Sequence, residues 1–253
     1  MVSGLDEFLR DYPGMAIKPT ANAGLELCGV FAFCGQPEKR PVIADSFELT
    51  IRLPAAFPAD LPSVSETGGK IPRDGHNHVN SDGTLCLGSP LRLLLALSRQ
   101  PTLGGFATTC LVPYLYAVSH KLQYGGPFVF NELAHGAKGA LHDYMDLFRL
   151  KRPEQADRAL RLLGMKKRRA NKLPCPCECG RRVGRCRFNV RLREFRQLAS
   201  RGWFRAQIEV IDAERRLRAE HARARESGPA QVVTAPRGHI SMNTPCTVSL
   251  AKG

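Results

Sequence analysis

A cysteine that follows a short polar stretch is the first group here that could do covalent chemistry. Cys86 comes after two imidazoles and two carboxamides, contributed by His76, Asn77, His78 and Asn80. A cysteine thiolate attacks activated carbonyls and leaves readily, which suits acyl transfer. Imidazole and amide groups donate hydrogen bonds that stabilise a developing oxyanion. The pattern indicates a nucleophilic thiol, against the alternative that a cysteine between two leucines is a small buried apolar residue.

A second group of cysteines has the spacing of a metal site. Four thiols fall within twelve positions, at Cys175, Cys177, Cys179 and Cys186. Four thiolates satisfy the closed tetrahedral coordination of structural zinc. The total of nine cysteines is odd and no secretory signal pattern is evident, so metal ligation and free thiols are favoured over disulfides. The sequence predicts structural zinc here, with a degenerate motif that no longer binds metal as the alternative.

Charge is divided unevenly along the chain, whose formal net charge is +14. Met1–Phe148 holds 11 basic and 14 acidic residues, and the remainder holds 26 basic and 9 acidic residues. The basic residues concentrate in Lys166–Arg169 and Arg181–Arg225. These runs indicate an anionic partner. Because few aromatic residues accompany them, docking on an acidic protein is favoured over direct binding of nucleic acid.

Hydrophobic periodicity predicts the elements that must position these groups. An apolar run predicts a strand within Leu25–Phe33, and alternating apolar and polar residues predict a half-buried strand over Phe47–Leu53. Apolar residues at helical spacing predict helices over Gly4–Tyr12, Leu103–Tyr124, Glu132–Leu150 and Leu192–Arg225. Prolines predict that Pro54–Pro90 is irregular. A helix followed by successive strands and then helices predicts an α+β fold with an antiparallel meander sheet.

The segment Phe47–Gly88 resembles the ubiquitin-conjugating enzymes. Phe47–Ile51 is similar to their third-strand motif, and Leu53–Pro58 with Leu61-Pro62 is similar to their proline-rich crossing. His76–Leu87 resembles their His-Pro-Asn loop, and its first histidine precedes the cysteine by the ten positions that suit the family.

Over Leu5–Leu122, the resemblance implies a ubiquitin-conjugating-like sheet flanked by helices. Cys86 matches the thioester-forming cysteine, and His76 matches the histidine that shapes the loop. Two positions depart from the family pattern. Asn77 replaces the usual proline, and His78 replaces the asparagine that stabilises the oxyanion. An imidazole can donate a hydrogen bond to an oxyanion, so the resemblance assigns that role to His78.

The function implied by this resemblance is a relay. An activating enzyme passes a ubiquitin-like modifier protein to Cys86 as a thioester, and an amine of a target protein then receives it. The departures from the pattern favour a divergent prokaryotic member, in a bacterial conjugation or antiphage operon. The alternative is a catalytically inactive adaptor of the same fold, which recruits a protein or nucleic-acid partner through its zinc motif and basic tail.

The cysteine cluster resembles the SEC-C zinc motif found at the SecA C-terminus. Cys175, Cys177 and Cys186 match its three cysteines, and the intervening arginines match its basic run. Arg187 stands where the motif has a histidine ligand, and Cys179 is the predicted substitute for that ligand.

These features predict four parts: a ubiquitin-conjugating-like domain over 1–150, a basic linker with the zinc motif over 151–190, an Arg-rich helical region over 191–226 and a flexible tail over 227–253. No signal peptide or uninterrupted apolar span is recognised in the sequence. The expected location is the cytoplasm, without a membrane partner.

Overall fold

The computed structural model describes residues 2–19, 24–129 and 136–226, apart from the side chains of residues 225 and 226. Its four strands form one antiparallel sheet in chain order: β1 Met15–Lys18, β2 Leu25–Gly35, β3 Ile43–Leu53 and β4 Ser63–Glu66. The helices are α1 Leu5–Asp11, α2 Pro90–Leu97, α3 Leu103–Phe106, α4 Val112–Tyr124, α5 Gly136–Phe148, α6 Pro153–Leu163, α7 Lys167–Ala170, α8 Phe188–Leu198 and α9 Arg201–Glu226. The predicted α+β class and antiparallel meander are confirmed.

The central pair of strands follows the predicted alternation. β2 and β3 are paired along their whole length, with Leu25 opposite Leu53 and Phe31 opposite Phe47. Phe47 and its apolar neighbours along β3 are buried, whereas Glu48 faces solvent. Every second side chain of this strand therefore enters the core.

The Pro54–Pro90 segment is more regular than its prolines predict. β4 lies directly after Pro62 and is the last strand of the sheet, paired with β3 along its length and joined on its other side, among the described residues, only by a single bridge between Ser65 and Thr84. A neighbouring proline at this position therefore interrupts no ladder within the sheet. α2 begins at Pro90, and Ser89 precedes it as the N-cap residue whose hydroxyl accepts from the Arg92 N–H. Proline suits the first position of a helix because its missing N–H has no partner there anyway.

Two predicted helices are interrupted. The helix over Leu103–Tyr124 contains a π-helical turn at Ala107–Leu111, which ends two residues before Pro113. Pro113 has no N–H for the regular ladder. The stretch Leu192–Arg225 breaks at Ala199, which has an extended backbone, while Gly202 lies inside α9.

Buried apolar residues form two clusters within the compact unit Met1–Arg215. The first lies between the sheet and α1, α3 and α4, and the second joins α5, α6, α8 and α9. α2 contributes to both, because Leu91 belongs to the second cluster and Leu97 to the first. A second unit covers Arg216–Gly253, and the structure describes its part of α9. The tail predicted over 227–253 lies outside the described residues, and the domain boundaries stay predictions.

Candidate active site and metal centre

A short hairpin after β4 carries Cys86. The turn closes with the Gly83 N–H donating to the Asn80 carbonyl at 2.9 Å, and Gly83 has a φ of 82°, where a glycine is favoured. The Cys86 N–H then donates to the His78 carbonyl at 2.8 Å. One strand of the hairpin is tied to the sheet, since the Leu85 N–H donates to the Val64 carbonyl at 2.7 Å. The hairpin places His78 and Cys86 opposite each other.

His76 and Asn77 form hydrogen bonds that hold the polar loop before Cys86 in place. The Asn77 side chain is buried and donates to the Pro72 carbonyl at 3.1 Å and to the Asp74 carboxylate at 3.0 Å. The Asn77 carbonyl accepts from the Tyr114 hydroxyl at 2.7 Å. His76 is exposed, and its carbonyl accepts from the Lys121 ammonium at 2.5 Å. His76 is absent from the lining of the cavity that contains Cys86.

His78 is the histidine that the structure brings beside the cysteine. Its imidazole is buried and meets the Phe128 ring edge to face, with the ring centres 4.7 Å apart. Its φ of 53° lies in the left-handed region, an uncommon conformation for a residue with a side chain. Such a conformation persists where the surrounding structure imposes it, and it turns the chain at the entrance to the hairpin.

A groove of about 640 Å³ runs past the Cys86 thiol. His78, Tyr114 and Phe128 line it on the side of the first cluster. α5 and α9 supply another part of the lining, which includes Ala137, Tyr144, Val210 and Glu214. The volume lies within the range of about 300–1,000 Å³ that is typical of ligand pockets. The groove is therefore built from elements far apart in the sequence.

The Cys86 thiol is half-buried. Burial raises its pKa, and a hydrogen bond from the Gly88 N–H opposes that rise. Burial also raises the pKa of Tyr114, which keeps its phenol protonated and donating to the loop. At neutral pH, Cys86 is mainly a thiol, so its reaction depends on proton removal during attack.

A buried carboxylate joins the segment after Cys86 to α5. Asp143 is 1% exposed and accepts hydrogen bonds from the Ser89 hydroxyl and from the Arg92 guanidinium, whose Nε lies 2.7 Å from Oδ1. Ser89 is three residues after Cys86. The clamp formed by Ser89, Arg92 and Asp143 therefore fixes the chain immediately beyond the thiol to the helical half of the unit.

The four cysteines predicted as zinc ligands converge. Their sulfur atoms all lie within 4.8 Å of one another, and the Cys175–Cys177 sulfur distance is 3.1 Å. The Cys186 sulfur lies 3.6 Å from that of Cys177 and 3.5 Å from that of Cys179. Tetrahedral zinc with Zn–S bonds of about 2.3 Å places its sulfur ligands about 3.8 Å apart. The cluster thus fits a metal ion such as zinc, held by the four thiolates.

The backbone around Cys179 explains how Cys177 and Cys179, only two residues apart, can both direct their sulfur atoms toward the centre of the cluster. Glu178 has a φ of 61°, and Gly180 has a φ of 73°. These left-handed residues bend the chain on each side of Cys179. The Glu178 carboxylate accepts from Arg152 and Arg158 and, at 3.1 Å, from the Gln155 amide, all on or beside α6. The Cys-x-Cys turn is therefore anchored to a neighbouring helix.

The thiols of the cluster differ in acidity. The Arg181 N–H and neighbouring thiols lower the pKa of Cys179 to about 7. Burial raises the pKa of Cys175 and of Cys177. Metal binding requires thiolates, so Cys179 supplies the first negative charge near neutral pH. Arg187, in the position of the motif's histidine, is exposed and outside the cluster.

Comparison with known protein families, curated proteins and solved structures found no match for this chain. Among the described residues, no helix combines the length and the apolar character needed to cross a lipid bilayer.

Sequence reasoning missed the residues that complete the groove and the clamp. Asp143, Tyr114 and Val210 come from helices whose approach to Cys86 no local spacing reveals. Ser89 had a recognisable signal, since a serine followed by proline is typical of a helix start.

Proposed function

We propose that the chain is a ubiquitin-conjugating-like enzyme that carries a ubiquitin-like protein as a thioester on Cys86 and transfers it to an amine of a target protein. The observation that carries this proposal is the half-buried Cys86 thiol, set opposite His78 in a groove of about 640 Å³. The order of a short helix, a four-stranded meander and a polar loop before the cysteine is consistent with the resemblance.

Loading is a thioester exchange. The Cys86 sulfur attacks the carbonyl carbon of the modifier's thioester on the activating enzyme. The activating enzyme's thiolate leaves, and the proton of the Cys86 thiol passes to that thiolate through solvent. In the second step, a target amine attacks the same carbon, the bond to Cys86 breaks, and the amine's extra proton passes to solvent. His78 donates a hydrogen bond to the oxyanion formed in each step. The enzyme's other contribution is to position the thioester for attack.

The cysteine cluster holds structural zinc in this proposal. Four thiolates leave no open coordination position, so the ion supplies stability and takes no part in the transfer. A reducing cytoplasm, as expected from the sequence, suits both the cluster and a free Cys86 thiol.

Loading is tested with candidate activating enzymes and ubiquitin-like modifiers, chosen first from any that neighbouring genes encode, together with ATP. The expected product is an adduct that a thiol reductant removes, that Cys86→Ala abolishes and that Cys34→Ala, at an exposed cysteine, retains. If no adduct forms with these partners, the proposal that the chain is an enzyme is contradicted, and the inactive adaptor becomes the favoured function.

A substitution in the groove tests whether the modifier occupies the groove during loading. Val210 is 62% exposed and lines the groove, whereas Val42 is 58% exposed and lies outside its lining. Val210→Arg should slow loading by about tenfold, equivalent to about 1.4 kcal/mol, while Val42→Arg should not. Both variants should react with iodoacetamide as the parent does, because that reagent is small.

The adaptor is the second candidate, and the raised pKa of Cys86 favours it. In that case the thiol is a half-buried structural residue, and the groove accepts a partner non-covalently. An unchanged partner affinity in Cys86→Ala, together with no thioester, supports this candidate.

A further inference from the structure

A group of exposed cations surrounds the metal-site turn. We call it the knuckle patch, and its members are Lys166, Lys167, Arg168, Arg169, Arg182 and Arg185. All six side chains are exposed. The first four lie at and within α7, and the last two lie on the chain between Cys179 and Cys186.

Backbone hydrogen bonds bring the two halves of the knuckle patch together. The Val183 N–H donates to the Leu173 carbonyl at 2.9 Å, and the Gly184 N–H donates to the Asn171 carbonyl at 3.0 Å. Asn171 directly follows α7, so the helix ends beside the turn that carries Arg182 and Arg185. Val183, which lies between Arg182 and Arg185 in the sequence, is completely buried and fixes the turn to the second cluster.

The knuckle patch has no acidic counterpart among the described residues. None of its six cations forms an ion pair with them, whereas other arginines nearby do. Arg161 pairs with Asp157 and Asp212, and Glu178 is shared by Arg152 and Arg158. Glu178 is the one acidic residue between Asp157 and Glu194 in the sequence. The positive charge of the patch is therefore left for an external anion.

The residue types select between two kinds of anionic partner. Protein interfaces usually contain a desolvated apolar or aromatic centre. The exposed large apolar residues of the described chain lie outside the patch, with Val190 on α8 as the nearest in sequence. A phosphate backbone requires cations alone, and the guanidinium fork matches phosphate oxygens. Single strands also need aromatic stacking, which the patch does not offer.

We propose that the knuckle patch binds the phosphate backbone of double-stranded nucleic acid without reading its bases. The sequence alone favours an acidic protein as the partner. Because the patch lacks the apolar centre that a protein interface usually needs, the structure favours a nucleic acid instead. The binding is independent of transfer through Cys86.

The test uses the full chain loaded with zinc and a short fluorescent DNA duplex, with binding followed by anisotropy between about 50 and 200 mM salt. The variant combines Arg168→Gln, Arg169→Gln, Arg182→Gln and Arg185→Gln. Loss of four phosphate contacts should reduce the slope of log K against log salt by roughly 3 to 4. Affinity at the lowest salt should fall at least about tenfold, since each contact adds to the counterion release that drives binding.

A matched control removes four arginines elsewhere: Arg99, Arg193, Arg201 and Arg205, each exposed and without an ion pair to the described residues. The control changes the net charge equally and should retain the parent's slope. If the affinity for the duplex falls equally in both variants, net charge alone drives binding and the proposal is wrong. It is also overturned if polyglutamate binds as tightly as the duplex, or if neither binds. Should the first variant lose zinc, Lys166→Gln with Lys167→Gln replaces it, and an unchanged slope then overturns the proposal.

Discussion

The chain uses the thiol group in two contrasting settings. Cys86 stands in a mostly apolar groove that His78 also lines, and the backbones of these two residues are hydrogen-bonded to each other. In the Cys175–Cys186 cluster, each sulfur instead lies within 4.8 Å of the others, and no single thiol is isolated. The neighbours of a cysteine therefore decide its chemistry. An isolated thiol keeps its proton until a reaction removes it, and a thiol among three others is positioned to share a metal ion.

The two settings also differ in how they are anchored. The cluster is held by its own tight turns and by the contact between Glu178 and α6. The Cys86 hairpin is held by β4 on one side and by the clamp to Asp143 on the other. The cluster is thus a local structure, and the groove depends on packing between distant elements.

The largest expected effect comes from breaking the cluster. Cys177→Ser should abolish zinc binding and lower the free energy of unfolding by more than about 5 kcal/mol, because a structural zinc site contributes its binding energy to folding. Zinc content and thermal melting, with and without a chelator, measure this effect. Cys34→Ser is the control and should bind zinc normally. A melting temperature that neither the substitution nor the chelator changes would contradict the predicted metal site.

A smaller effect is expected from the clamp. Asp143→Asn removes the charge that pairs with Arg92, and we expect a loss of about 2–3 kcal/mol, because the half-exposed Arg92 can be partly hydrated. Asp146→Asn, on the exposed side of the same helix, should change stability by less than about 0.5 kcal/mol. Urea unfolding of the zinc-loaded chains provides the measurement. Equal stability of the two variants would show that the clamp does not anchor the hairpin.

The smallest expected effect concerns the acidity of Cys86. Because burial raises its pKa, the thiolate fraction at pH 7 is below that of an ordinary cysteine with a pKa of about 8.5. Its alkylation by iodoacetamide should rise about tenfold per pH unit from pH 7 and continue to rise above pH 9. Mass spectrometry of the Cys86 peptide, with a cysteine-containing model peptide as reference, follows the rate. A plateau below about pH 8 would contradict a raised pKa.

The parts that sequence predicts well are those encoded locally. The alternation around Phe47–Leu53 places β3 because strand geometry repeats every two residues, and the cysteine spacing finds the cluster because its ligands span twelve positions. The groove escapes such reasoning. Val210 reaches it through α9, more than a hundred residues after Cys86, and that approach follows from helix packing that leaves no periodic signal.

The position of α2 has a consequence for how the chain can be divided. One end of this eight-residue helix packs in the first cluster and the other end packs in the second. A fragment that stops before α5 would leave Leu91 without its apolar partners and Arg92 without its carboxylate. The sheet-containing half is therefore a poor unit for recombinant dissection or for grafting onto another scaffold, and truncation experiments on it would confuse lost solubility with lost function.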